Sequence, residues 1–115
     1  MLNDLAKRIY DFNVSIGWHS NGKPDLATCL MNLHSEVSEL WEAFRENRET
    51  GPCNKATKLS ELGLPPLTCL EEELADVVIR ALDTAHSYGI DIDNAVVTKM
   101  AYNATRGHRY GGKRA

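Results

Sequence analysis

Apolar residues recur along this chain at spacings of three and four, the period of a helix buried on one side. Leu2, Leu5, Ile9, Phe12 and Ile16 draw the first stripe, and Gly17, Asn21, Gly22 and Pro24 break it. Asp25 supplies an N-cap for a second helix, whose stripe runs Leu26, Leu30, Leu33, Val37, Leu40 and Phe44 before Gly51-Pro52 ends it. A third stripe, Leu70, Leu74, Val77, Ala81 and Ala85, is widened by Val78 and Leu82. It opens at Thr68, which has the spacing of a capping box with Glu71, and Gly89 suits its C′ position. Asp91 caps a fourth helix through Ala95, Val96 and Met100 to about Arg106, with Gly107 and Gly111-Gly112 punctuating the end. Between Arg45 and Thr68 the pattern lapses. Gly51-Pro52, Gly63 and Pro65-Pro66 mark a long loop there, with one short helical turn. No segment alternates with period two for long enough to form a strand. The expected fold is an all-α, four-helix bundle-like unit with antiparallel neighbours.

Length and composition narrow this picture. A chain of 115 residues fits one domain over 1–115, and burial of only about two-thirds of the unfolded surface makes a partner subunit a useful source of stability. No apolar run approaches the ~20 residues that span a bilayer, and Met1-Leu2-Asn3-Asp4 lacks the basic and apolar regions of a signal peptide, so a cytoplasmic location is expected. The cysteines, Cys29, Cys53 and Cys69, are odd in number and widely spaced. They read as reduced thiols, some filling the core, rather than a disulfide framework or zinc ribbon.

Charge is distributed unevenly. No acid follows Asp93, whereas Lys99, Arg106, Arg109, Lys113 and Arg114 lie beyond it, so the tail carries +5. The remaining 8 bases face all 16 acids, leaving the body at −8. An acid-free tail can be a nucleic-acid arm, an anion-binding part of a site, or a solvated end.

Two carboxylate pairs carry the candidate chemistry. Glu36 and Glu39 lie three apart on the second helix, and Glu73 and Asp76 three apart on the third, so each pair shares a face beside its apolar stripe. If the stripes pack together, four anions converge at the edge of the core, where they repel unless divalent cations intervene. Carboxylate oxygens suit Mg²⁺ or Mn²⁺, with positions left open for water and phosphate. The plain reading, solvated helix faces, fits any single pair equally well. It is the reading taken for Glu71 and Glu72.

Glu-x-x-Glu followed on the next helix by Glu-x-x-Asp resembles the signature of the MazG-like all-α nucleoside triphosphate pyrophosphohydrolases. The resemblance continues into Lys99-Met-Ala-Tyr-Asn103-Ala-Thr-Arg106-Gly-His-Arg109-Tyr-Gly-Gly-Lys113, which is similar to the Lys…Asn…Arg tail of compact bacterial or phage-encoded members. It covers about Leu26 to Lys113. One departure is the longer gap between Glu39 and Glu73, which the loop at 45–68 accounts for. The resemblance implies hydrolysis of a (d)NTP to the (d)NMP and pyrophosphate, in the cytoplasm of a bacterial or phage-infected cell. It implies two or more Mg²⁺ per site, replaceable by Mn²⁺, held by Glu36, Glu39, Glu73 and Asp76, with Glu39 chosen to orient the attacking water and Glu36 beside it. Lys99, Asn103, Arg106, Arg109 and Lys113 would hold the phosphates. A homodimer or homotetramer is implied, with no membrane and no stable nucleic-acid partner.

Other residues have a structural and a functional reading. Trp18 and His19, in the loop after the first helix, are candidates to stack on a base or to pack locally. Trp41 is read as core, His34 as a satisfied structural histidine, and Arg80 as a partner for Asp76 one turn away. Two other classes stay open: a nucleic-acid-binding module using the basic tail, and a non-catalytic helical interaction protein.

Overall fold

The computed structural model describes residues 1–114. Its elements are α1 (Leu2–Ser15), α2 (Leu26–Arg45), α3 (Ala56–Glu61), α4 (Cys69–Ser87), α5 (Ile92–Ala104) and α6 (Arg109–Gly112), and no strand occurs among the described residues. The all-α expectation holds. The short helical turn expected in the 45–68 loop is α3.

Local chemistry starts the helices where the pattern placed them. Asp25 accepts from the Thr28 amide at 3.0 Å and opens α2. Thr68 and Glu71 form the reciprocal capping box of α4, at 3.1 and 2.9 Å. Asp91 accepts from the Asn94 amide at 3.0 Å and opens α5. Gly89 ends α4 at φ +63°, a left-handed turn that suits a residue without Cβ.

The start of α5 is tied to the start of α1. The amides of Leu2 and Asn3 donate to the Asp93 carboxylate at 2.8 and 3.0 Å. In return, Asn3 Oδ1 accepts from the Ile92 amide at 2.9 Å, and Asn3 Nδ2 donates to Asp91 at 2.8 Å. Each helix thus supplies the cap of the other. Beyond this joint α5 buries none of its residues.

The main packing is α2 on α4 and α1 on α4. The loop after α2 folds back on the first turn of α4 rather than standing free. Cys53 N donates to Leu67 O (3.0 Å), Cys69 N to Gly51 O (2.9 Å) and Leu70 N to Glu49 O (2.9 Å). Beneath it Ala43, Cys53 and Cys69 form a small core with Leu59 and Leu67 against it. The three thiols are free and buried, as expected of core fillers.

The stripes themselves are only half used. Leu33, Leu40 and Val77 are partly covered and Leu82 and Ala85 buried, but Leu26, Leu30, Val37, Phe44, Leu70, Leu74 and Val78 remain exposed. Two expectations need correction here. Trp41, read as core, is 57% exposed beside Phe44, and His34 is exposed rather than a satisfied interior group. The radius of gyration is 16.8 Å, against about 13 Å for a compact domain of this size.

Candidate active site

Packing α2 against α4 brings the two carboxylate motifs together. Oxygens of Glu36, Glu73 and Asp76 lie within 4.8 Å of one another, and all three residues are half-buried. Glu39, one turn along α2, is more exposed. Its carboxyl is held above the usual range chiefly by a hydrogen bond with Glu36, then by desolvation and the Glu36 charge, with an opposing hydrogen bond from Glu73.

The cost of this convergence falls on Glu73. Desolvation first, and then the charges of Glu72, Glu39 and Asp76, push its carboxyl from 4.5 up to about 7. Asp76 is raised by desolvation first and then by the charges of Glu72 and Glu36, with Lys55 and Arg80 opposing. Glu73 Oε2 is buried and has no hydrogen-bond partner. Three converging carboxylates, one of them with a buried oxygen left without a hydrogen-bond partner, form an all-oxygen donor set that fits Mg²⁺ or Mn²⁺.

Two cations border the group. Lys55, carried by the loop before α3, donates to Glu72 at 2.9 Å. Arg80 Nε donates to Glu36 at 3.2 Å. Both pairs correct the sequence reading. Glu72, taken as solvated surface, has a side chain only 13% exposed, and Arg80 bonds across to α2 rather than to Asp76. Neither was readable from spacing, because each depends on which segment folds over α4.

Glu36, Glu39, Asp76 and Arg80 line a cleft of about 300 Å³ with Asn13, Trp18 and Ile79. Trp18 is half exposed, with the Arg80 guanidinium 5.1 Å from its ring centre. His19 takes φ +60° and turns inward. Its Nε2 lies 3.1 and 2.8 Å from the two oxygens of buried Asp83, which also accepts from Asn13 at 3.2 Å, and its ring stacks on Tyr10 at 5.3 Å. Trp18 and His19 share a second, smaller cavity of about 110 Å³ that includes Asn32, Arg80 and Asp83. Asp83 was not singled out from the sequence. Its only signal there was an acid on the buried face of α4.

The tail residues lie elsewhere. Lys99 and Asn103 are on α5 and Arg106 just beyond it, with Lys99 and Arg106 over the Tyr102 ring at 4.9 and 5.5 Å. Arg109 begins α6 and donates to the Arg114 carbonyl at 3.2 Å, and Lys113 is exposed. None of the five lines the carboxylate cleft. Among the described residues no helix is long and apolar enough to cross a membrane.

No family model matches the chain. It is 30% identical over 105 residues to dCTP pyrophosphatase 1 of Mus musculus, and equally so to dCTP pyrophosphatase 1 of Rattus norvegicus. The aligned part is 91% of this chain, and the chain spans 58% of the length of those relatives. An all-α chain whose two helical carboxylate motifs meet is thus similar, over nearly all its length, to pyrophosphatases acting on a deoxynucleoside triphosphate.

Proposed function

We propose that this chain is a MazG-like nucleoside triphosphate pyrophosphohydrolase, a single catalytic unit whose reaction depends on divalent metal. The observation that carries the reading is the convergence of carboxylate oxygens of Glu36, Glu73 and Asp76 within 4.8 Å of one another. Similarity to dCTP pyrophosphatase 1 supports it independently and makes dCTP the first substrate to test.

In the proposed reaction a water oxygen attacks the α-phosphorus, the bond to the bridging oxygen breaks, and pyrophosphate leaves with that electron pair. Glu36, Glu73 and Asp76 would hold Mg²⁺, with Glu39 at the rim. Bound there, Mg²⁺ would supply charge neutralisation for the phosphates and acidify a water. Glu39, hydrogen-bonded to Glu36 and lining the cleft, is placed to orient that water and accept its proton on a carboxylate oxygen. Trp18 offers a half-exposed ring against which a base can stack.

The phosphate-binding role of Lys99, Asn103, Arg106, Arg109 and Lys113 calls for a second copy of the chain, since none of them lines the cleft of its own. The uncovered stripes of α2 and α4 and the high radius of gyration support a homodimer or homotetramer that brings such a tail to a neighbour's carboxylates.

The test is a panel of NTPs and dNTPs incubated with Mg²⁺ or Mn²⁺ and assayed separately for pyrophosphate and phosphate. Pyrophosphate release that EDTA abolishes is expected. Phosphate alone, or turnover that persists in EDTA, refutes the reading.

A further inference from the structure

Among the described residues, Arg80 is the one base lining the carboxylate cleft. Its bond to Glu36 is made through Nε, the nitrogen nearest the chain, so the paired terminal nitrogens that match phosphate oxygens are not spent on it. Its partner, Glu36, is one of the three carboxylates that converge within 4.8 Å. A hard cation bound by that group draws on the same carboxylate charge, so the guanidinium and the metal compete for Glu36. The guanidinium also lies over the Trp18 ring, 5.1 Å from its centre, and Trp18 lines the cleft as well. Losing Glu36 therefore leaves Arg80 within the cleft rather than releasing it to bulk solvent.

From this arrangement we infer that Arg80 is a parked phosphate ligand: in the metal-free chain it occupies Glu36, and metal loading frees its fork for a phosphate of the triphosphate in the same cleft. The inference rests on the metal-dependent reading given above. It assigns the chain a phosphate contact in cis, separate from the basic tail. It also orders binding, since the metal must arrive before or with the nucleotide for the fork to be free. Lys55 borders the carboxylates through Glu72 without lining the cleft.

Two equilibria without turnover test it, both by isothermal titration calorimetry: Mg²⁺ alone, and a non-hydrolysable α,β-imido deoxynucleoside triphosphate at saturating Mg²⁺. In Arg80→Gln the competitor for Glu36 is gone, so Mg²⁺ should bind roughly threefold tighter, the scale of a partly exposed ion pair. The triphosphate should bind roughly tenfold to a hundredfold more weakly, the scale of a lost charged hydrogen bond. Opposite signs are the signature. Both affinities falling together, or neither changing, overturns the inference. Arg80→Lys keeps the charge and loses the fork, so it should bind Mg²⁺ like the wild type and the triphosphate several-fold more weakly. Wild-type triphosphate affinity in Arg80→Lys overturns the inference even if Arg80→Gln fails to fold by circular dichroism. A wild-type chain that takes up no Mg²⁺ refutes the metal-dependent reading itself, a separate result.

Discussion

Replacing Glu73 by glutamine should stabilise the metal-free protein while destroying its response to Mg²⁺. The Glu73 carboxyl is pushed from 4.5 to about 7 by desolvation and by the charges of Glu72, Glu39 and Asp76. In the folded chain it therefore keeps a proton that it loses when unfolded. Between pH 4.5 and 7 the native state binds more protons than the unfolded one, so stability falls as pH rises through that window, and above it the full penalty is present. At about 1.4 kcal/mol per pH unit the shift corresponds to roughly 3 kcal/mol. Partial exposure screens it, and about 1–2 kcal/mol is the realistic expectation. Glutamine keeps the shape, removes the charge and offers an amide to the neighbouring carboxylates. In EDTA at pH 8, urea denaturation should find Glu73→Gln more stable than wild type by about 1–2 kcal/mol, with the gap closing towards pH 4.5. Adding Mg²⁺ should reverse the order, because binding at a hundred times Kd adds roughly 3 kcal/mol to the wild type and little to the variant. A Glu73→Gln protein less stable than wild type in EDTA at pH 8 would show that the carboxylate is stabilised by something other than metal.

Four further outcomes follow from other parts of the molecule. Asp83→Ala strips His19 and Asn13 of a buried acceptor and should cost about 1–3 kcal/mol in urea denaturation; no loss would show that these bonds add nothing net. Lys55→Met breaks a pair whose lysine is mostly exposed, so melting should shift by only a few degrees, about 1 kcal/mol or less. A large loss would mean that the pair fastens the whole loop. Phe44→Asp, on the uncovered end of the α2 stripe, should lower the oligomeric state seen by sedimentation velocity while far-ultraviolet circular dichroism stays unchanged. Asp93, held down to about 2 by the amide of Asn3, the N-terminal amine and the amide of Leu2, contributes stability present above its ordinary range and lost as pH falls towards 2. Asp93→Asn should therefore speed amide exchange in α5 at neutral pH and blunt its acid sensitivity.

What could be read from the sequence was what is local. Asp25, Thr68 with Glu71, and Asp91 each act on an amide three residues away, so their spacing already contains the interaction. Glu36, Glu73 and Asp76 were legible for a related reason: residues three apart share a helix face, and the stripe beside them indicates which way that face turns. Glu72 and Arg80 were misread because their partners, Lys55 and Glu36, are 17 and 44 positions away. Position along the helix cannot distinguish a solvated glutamate from one met by a returning loop. Trp41 was misjudged differently. An apolar stripe shows that a face wants covering and is silent on whether the cover comes from the same chain. The tail raises the same question, since its basic character was plain but its distance from the cleft was not.

The reciprocal caps of α1 and α5 also bear on the order in which the molecule is made. They join residues 90 positions apart, and closing a loop of that length opposes the joint by on the order of 4 kcal/mol until other contacts have shortened it. The packing of α1 on α4 supplies that shortening, so α5 can nucleate on Asn3 only after α1 has settled on α4. Pulse-labelled hydrogen exchange should then find α5 protected last, and simultaneous protection of α4 and α5 would refute the sequence of events. A helix that folds last, with none of its residues buried, is free at that moment to choose its neighbour. Whether it settles on its own chain or another would be decided by protein concentration during assembly.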